Sequence, residues 1–63
     1  MNVLAVLELL ANDGTRVVIR DNDFHILATG FKFSWDVKRY YFDTVDSFTW
    51  QNDGNLFIDI DGI

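Results

Sequence analysis

The sequence predicts an α+β fold, an N-terminal helix packed on a four-stranded, mainly antiparallel sheet made of two hairpins, from three features. The N-terminal run Val3–Ala11 is rich in Leu and Ala and lacks strand alternation. Two pairs of alternating apolar segments each flank an Asp- and Asn-rich turn. There is no proline, so Gly14, Gly30 and Gly54 divide the chain.

Val3–Ala11 (VLAVLELLA) consists mainly of good helix formers, with Asn2 placed to cap its N-terminus. Asn12-Asp13-Gly14 supplies a stop in which glycine can take the left-handed conformation. A hairpin strand ending in the same three residues is the rival reading, and helix is preferred.

Arg16–Arg20 (RVVIR) reads as a strand, with Val17 and Ile19 on one face and Arg16, Val18 and Arg20 on the other. Asp21-Asn22-Asp23 is turn chemistry, and the chain returns through Phe24–Phe33. Ile26 and Ala28 lie in one register and Phe31 and Phe33 in the opposite one, which predicts a β-bulge at Thr29-Gly30.

In the last third, Val45–Trp50 and Leu56–Ile60 flank Asn52-Asp53-Gly54. A three-residue loop pairs Trp50 with Leu56 and Phe48 with Ile58 and brings Ile60 alongside, giving one apolar face. A two-residue loop would set Phe48 against Asp59, so the hydrophobic match selects the longer loop. Ser34–Asp43 (SWDVKRYYFD) reads as an irregular connection holding at most one turn of helix, with Ser34 as its cap.

Sixty-three residues make a single domain, 1–63. A chain this small buries apolar area whose transfer free energy barely matches the conformational entropy of ordering it. It has no cysteine and a single histidine, His25, which excludes disulfides and a His/Cys zinc cage. Ten acidic residues against five basic give a net charge of −5, which disfavours direct nucleic-acid binding. Met1-Asn2 leads into an apolar stretch too short to span a bilayer and without signal-peptide flanks, so the expectation is a cytoplasmic protein off the membrane.

Val6-Leu7-Glu8-Leu9-Leu10, Val17-Val18-Ile19-Arg20-Asp21-Asn22-Asp23 and Asp53-Gly54-Asn55-Leu56-Phe57-Ile58-Asp59-Ile60 together cover most of the chain. In this layout it resembles small uncharacterised proteins encoded by phages and prophages of Gram-positive bacteria. The resemblance implies a phage or prophage origin and brings no catalytic residues.

No Gly-rich phosphate loop, Ser-centred elbow or carboxylate dyad is discernible, and nothing converges on His25 as a general base. The expectation is therefore no enzyme, no catalytic residues, no cofactor and no metal. Asp59-Ile60-Asp61-Gly62 is too short for a calcium loop. Binding is the better reading. A helix apolar almost all round, with Leu4 and Leu9 off its core stripe, suggests a homodimer or partner interface. The competing explanation is that Trp35–Phe42 folds over it.

Trp35, Tyr40 and Tyr41, interleaved with Lys38 and Arg39, are residue types common in binding hot spots, or else a second small core. Asp59 and Asp61 share the polar face of the last strand and could form an acidic face. The expected function is a non-enzymatic protein-binding module, acting as a homo-oligomer and possessing a host or phage protein partner. The alternatives are an acidic nucleic-acid mimic that inhibits a host DNA- or RNA-binding enzyme, and a structural virion component.

Overall fold

A computed structural model describes residues 1–10, 13–51 and 53–61. The elements run α1 (Val3–Leu7), β1 (Val17–Arg20), β2 (Ile26–Gly30), α2 (Trp35–Lys38), β3 (Val45–Trp50) and β4 (Leu56–Ile60). The four strands form one mixed sheet in the order β2-β1-β4-β3. Each hairpin is antiparallel, and the hairpins meet through a parallel pairing of β1 with β4. The expected α+β architecture is present.

Alternation along the central strands separates two faces. Val17 and Ile19 of β1 and Leu56, Ile58 and Ile60 of β4 point inward and join Val3, Val6, Leu7, Ala28 and Val37 in the core. Both helices lie on this inner face. The outer face carries Val18 and Arg20 beside Phe57 and Asp59.

The N-terminus of α1 is completed from a distant part of the chain. The Asn2 side chain accepts from Ala5 N, as a cap should, and Val6 N donates to Asn2 O. The remaining two N–H groups of the first turn, those of Val3 and Leu4, donate to the carbonyls of Asp43 and Tyr41. Three of the donors that a helix start leaves open, those of Val3, Leu4 and Ala5, are thereby satisfied.

The helix is shorter than the predicted Val3–Ala11. It ends at Leu7 with Glu8 as C-cap, and Leu9 N and Leu10 N bond three residues back, to Val6 and Leu7. The tightened turn lays Leu10 against the core. Gly14 is therefore not the residue that stops the helix; Ala11 and Asn12 of the predicted terminus lie outside the described residues.

The second hairpin has the register chosen by hydrophobic match, with Trp50 opposite Leu56 and Phe48 opposite Ile58. Gly54 takes the left-handed conformation, φ +86°, and Gln51 N donates to Asn55 O to close the loop. A bulge at Asp46 lets Val45 face Ile60.

In the first hairpin the irregularity falls at Leu27, between the pairs Ile19–Ala28 and Arg20–Ile26, and not at Thr29-Gly30. Gly30 serves another purpose. A Cβ there would sit 2.8 Å from Ser34 Cβ and 2.9 Å from Ser34 Oγ, so glycine lets the chain fold sharply into α2. The strand stops at Gly30, leaving Phe31 and Phe33 outside it. Ser34 Oγ accepts from Phe31 N, and α2 is the single helical turn expected.

The two glycines give a contrast that measures this packing. Gly30→Ala should cost about 1–3 kcal/mol, because Ser34 must move. Gly54→Ala, with nothing within 4 Å of its new Cβ, should cost only about 1 kcal/mol for the left-handed conformation. Urea unfolding followed by circular dichroism would rank the two, and equal losses would contradict the close approach at Gly30.

Candidate functional site

Two regions hold the residues that could do chemistry or binding, and the outer sheet face comes first. One row across the sheet reads Ile26, Arg20, Asp59, Ser47, and the next reads Thr29, Val18, Phe57, Thr49. Arg20 Nε donates to Asp59 Oδ1 at 2.7 Å and Arg20 Nη2 to Asp59 Oδ2 at 3.0 Å. Ser47 Oγ adds a bond to Asp59 Oδ2 at 3.3 Å. The guanidinium also lies over the rings of Phe57 and Phe24, 4.6 and 4.9 Å from their centroids.

This network uses the chemistry of its members. Asp59 is only 6% exposed, so it belongs to no exposed acidic row. Its carboxylate is spent on Arg20 because the parallel register places the two opposite each other. Asp61 is exposed but lies beyond β4, where its N–H donates to Thr44 O. The expected acidic face of Asp59 and Asp61 is thus reduced to Asp61.

The turn after β1 gathers Asp21, Asp23 and His25, whose ligand-type atoms lie within 4.8 Å of one another. Asp21 Oδ1 accepts from the backbone N–H of both Asp23 and His25, and His25 Nδ1 lies 3.2 Å from Asp21 Oδ2. These bonds close a tight turn in which Phe24 has φ +66°. The backbone N–H of His25, above all, holds the Asp21 carboxyl below the usual carboxylate range.

The second region is a groove on the inner face, at the β3 edge. It has a volume of about 90 Å³ and is lined by Val6, Leu9, Leu10, Phe48, Trp50 and Leu56. All six side chains are apolar or aromatic. Leu9 is 68% exposed, Trp50 55% and Phe48 41%, whereas Val6 and Leu56 form the buried floor. The groove lies past the end of α1 at Leu7, beside the far end of β3.

The residues expected at an interface separate into two groups. Leu9 lines this groove. Leu4 is half-buried, and Tyr40 and Tyr41 pack against the core. Tyr41 donates its hydroxyl to Lys32 O, and burial pushes its phenol pKa up. The connection from α2 to β3 therefore does fold over the helix. Trp35 is 81% exposed on α2, with the Lys38 ammonium 5.4 Å from its ring.

Sequence reasoning assigned Phe48 and Trp50 to the inner face and did not see them as surface. The available signal was β3's place as the second hairpin's outer strand, combined with a helix too short to reach it. No family model, curated protein or solved structure matches the chain. Among the described residues no helix is long and apolar enough to cross a membrane.

Removing one partner of the Arg20–Asp59 pair should be costly. Arg20→Met should destabilise by about 2–4 kcal/mol, since it strands a buried carboxylate, and adding Asp59→Leu should recover much of that loss. A denaturation double-mutant cycle reads the coupling; simple additivity would mean that the pair contributes nothing beyond packing.

Asp21 gives a pH prediction. A carboxyl whose folded pKa is depressed stabilises the fold above its unfolded pKa and loses that contribution as pH falls through the folded value. The Asp23 and His25 amides should lose hydrogen-exchange protection on acidification through and below the usual carboxylate range. Asp21→Asn keeps the Oδ1 acceptor and should flatten this dependence; an unchanged profile would refute the assignment.

Proposed function

We propose that the chain is a non-enzymatic protein-binding module, an accessory protein of phage or prophage origin, that works through the groove and the adjoining β3 edge. The observation that carries this reading is the coincidence of an open apolar groove with an edge strand that, among the described residues, has a partner on one side only. Leu9, Phe48 and Trp50 are exposed at the same edge of the sheet. Large exposed apolar side chains grouped on a small domain mark sites of association.

The polar chemistry supports the same reading. Among the described residues, the charged groups that come together, Arg20 with Asp59 and Asp21 with His25, are engaged in holding strands and a turn. The groove itself offers no acid, base or nucleophile. A strand from another protein, adding to the sheet edge and placing apolar side chains in the groove, fits both features. An acidic nucleic-acid mimic gains less support, since Asp59 is buried in its ion pair.

The test is retention by the immobilised protein of a defined binder, from host extract or as an untagged copy of the chain itself. Leu9→Lys lies on the surface and should leave the circular dichroism spectrum unchanged while lowering retention at least tenfold. Undiminished retention by a folded Leu9→Lys variant, or no binder of either kind, would overturn the reading.

A further inference from the structure

The geometry points to the occupant of this edge: β3 of a second copy, paired antiparallel about a twofold axis at Thr49 to make a continuous eight-stranded sheet. This inference rests on the reading of the groove and β3 edge as the working surface, and it names the partner.

The backbone sets the register. Gln51 N donates to Asn55 O and Gln51 O accepts from Gly54 N, so Gln51 turns both backbone groups toward the β4 side at the end of the β3–β4 ladder. Bonded and non-bonded pairs alternate along an antiparallel ladder, so Thr49 and Ser47 also turn their backbone groups toward β4. Phe48 and Trp50 must then direct their N–H and C=O groups away from it, toward the free edge. Leu56, opposite Trp50, accordingly donates its N–H to Arg16 O on the other side.

The edge is protected at one end only. Asp46 occupies a bulge, and a charge on a bulge discourages pairing there. From Ser47 to Gln51 the strand has no charge and no proline. An unprotected edge of this kind is a template for another strand.

A twofold axis perpendicular to the sheet keeps inner residues beside inner residues only if it passes through a residue position. An axis at Phe48 would set Trp50 against the bulged Asp46. An axis at Trp50 would carry the pairing beyond the end of β3. An axis at Thr49 places Phe48 opposite Trp50 of the second copy, twice, and joins the N–H and C=O groups of both residues in four inter-copy hydrogen bonds. It also puts Thr49 opposite Thr49 as a non-bonded pair, a favourable cross-strand combination. Both grooves then lie on the same side of the joined sheet.

The area decides the strength. With ~150–250 Å² for each large aromatic side chain, the exposed parts of Phe48, Trp50 and Leu9 offer on the order of 300 Å² of apolar surface per copy. Adding the edge backbone and its polar neighbours brings the two-copy total to roughly 1,000 Å², the lower limit for a specific interface. An interface at this limit is that of a weak, reversible dimer. Each copy carries a net charge of −5, so screening by salt should strengthen association. Binding to a basic protein would respond to salt in the opposite direction.

The chain has no native cysteine, so single-cysteine variants report the register directly. Thr49→Cys should form a disulfide-linked dimer on mild oxidation, because a non-bonded antiparallel pair holds its Cα atoms about 4.5 Å apart, within disulfide reach. Ser47→Cys should cross-link at least tenfold less, since the two copies of residue 47 would lie roughly 14 Å apart along the strands. Sedimentation of the unmodified chain should show a concentration-dependent dimer that tightens with salt, and Trp50→Lys should weaken it at least tenfold while remaining folded.

A strict monomer at hundreds of micromolar, or equal cross-linking of the two cysteine variants, would overturn the self-pairing. In that event, Leu9-dependent retention of a host protein would still uphold the docking surface, and loss of that too would remove both.

Discussion

Two hairpins that meet through parallel strands cannot be joined by a turn, and this constraint organises the molecule. Because β1 and β4 pair in parallel, β2 and β3 fall at opposite edges of the sheet. Residues 31–44, which connect them, must cross three strand spacings, about 14 Å at ~4.8 Å each. That crossing runs over the inner face, where α2 buries Val37 and the following residues reach the helix α1. The same pairing aligns Arg20 with Asp59 on the outer face. Core, crossing and outer network all depend on one strand contact.

What the sequence revealed followed from local rules with a single best solution. The second hairpin was legible because one loop length matched Trp50 with Leu56 and Phe48 with Ile58, and Gly54 suited the required conformation. The faces of β1 were legible from strict alternation. The extent of α1 was not, since Leu9 and Leu10 are as good helix formers as Leu7, yet the chain tightens into three-residue bonds directly after Leu7. The bulge was misplaced because Gly30 answers to a contact with Ser34 that no local pattern encodes.

The same distinction separates the legible parts of the site from the hidden ones. Leu9 stood out because it lies off the apolar stripe of the helix. Phe48 and Trp50 did not, because a face directed inward is ordinarily covered, and the cover here is five helical residues long. Asp59 read as a surface acid by alternation. It is buried because its neighbour on a strand far away in sequence is Arg20, with Phe24 and Phe57 flanking the guanidinium. Pairings of this kind follow from topology, and topology is set by the whole chain.

The capping of α1 by the carbonyls of Tyr41 and Asp43 bears on the order in which the chain can fold. Of the six elements the helix is synthesised first, yet five residues are too few to hold a helix alone in water. Its amide donors find their acceptors only after the segment leading into β3 has been made. The earliest-synthesised element is thus among the last to become stable, and Leu4 and Leu9 remain exposed to chaperones and proteases in the interval. A nascent chain stalled before residue 41 would carry an unformed start, so the helix depends on the second half of the domain for its completion.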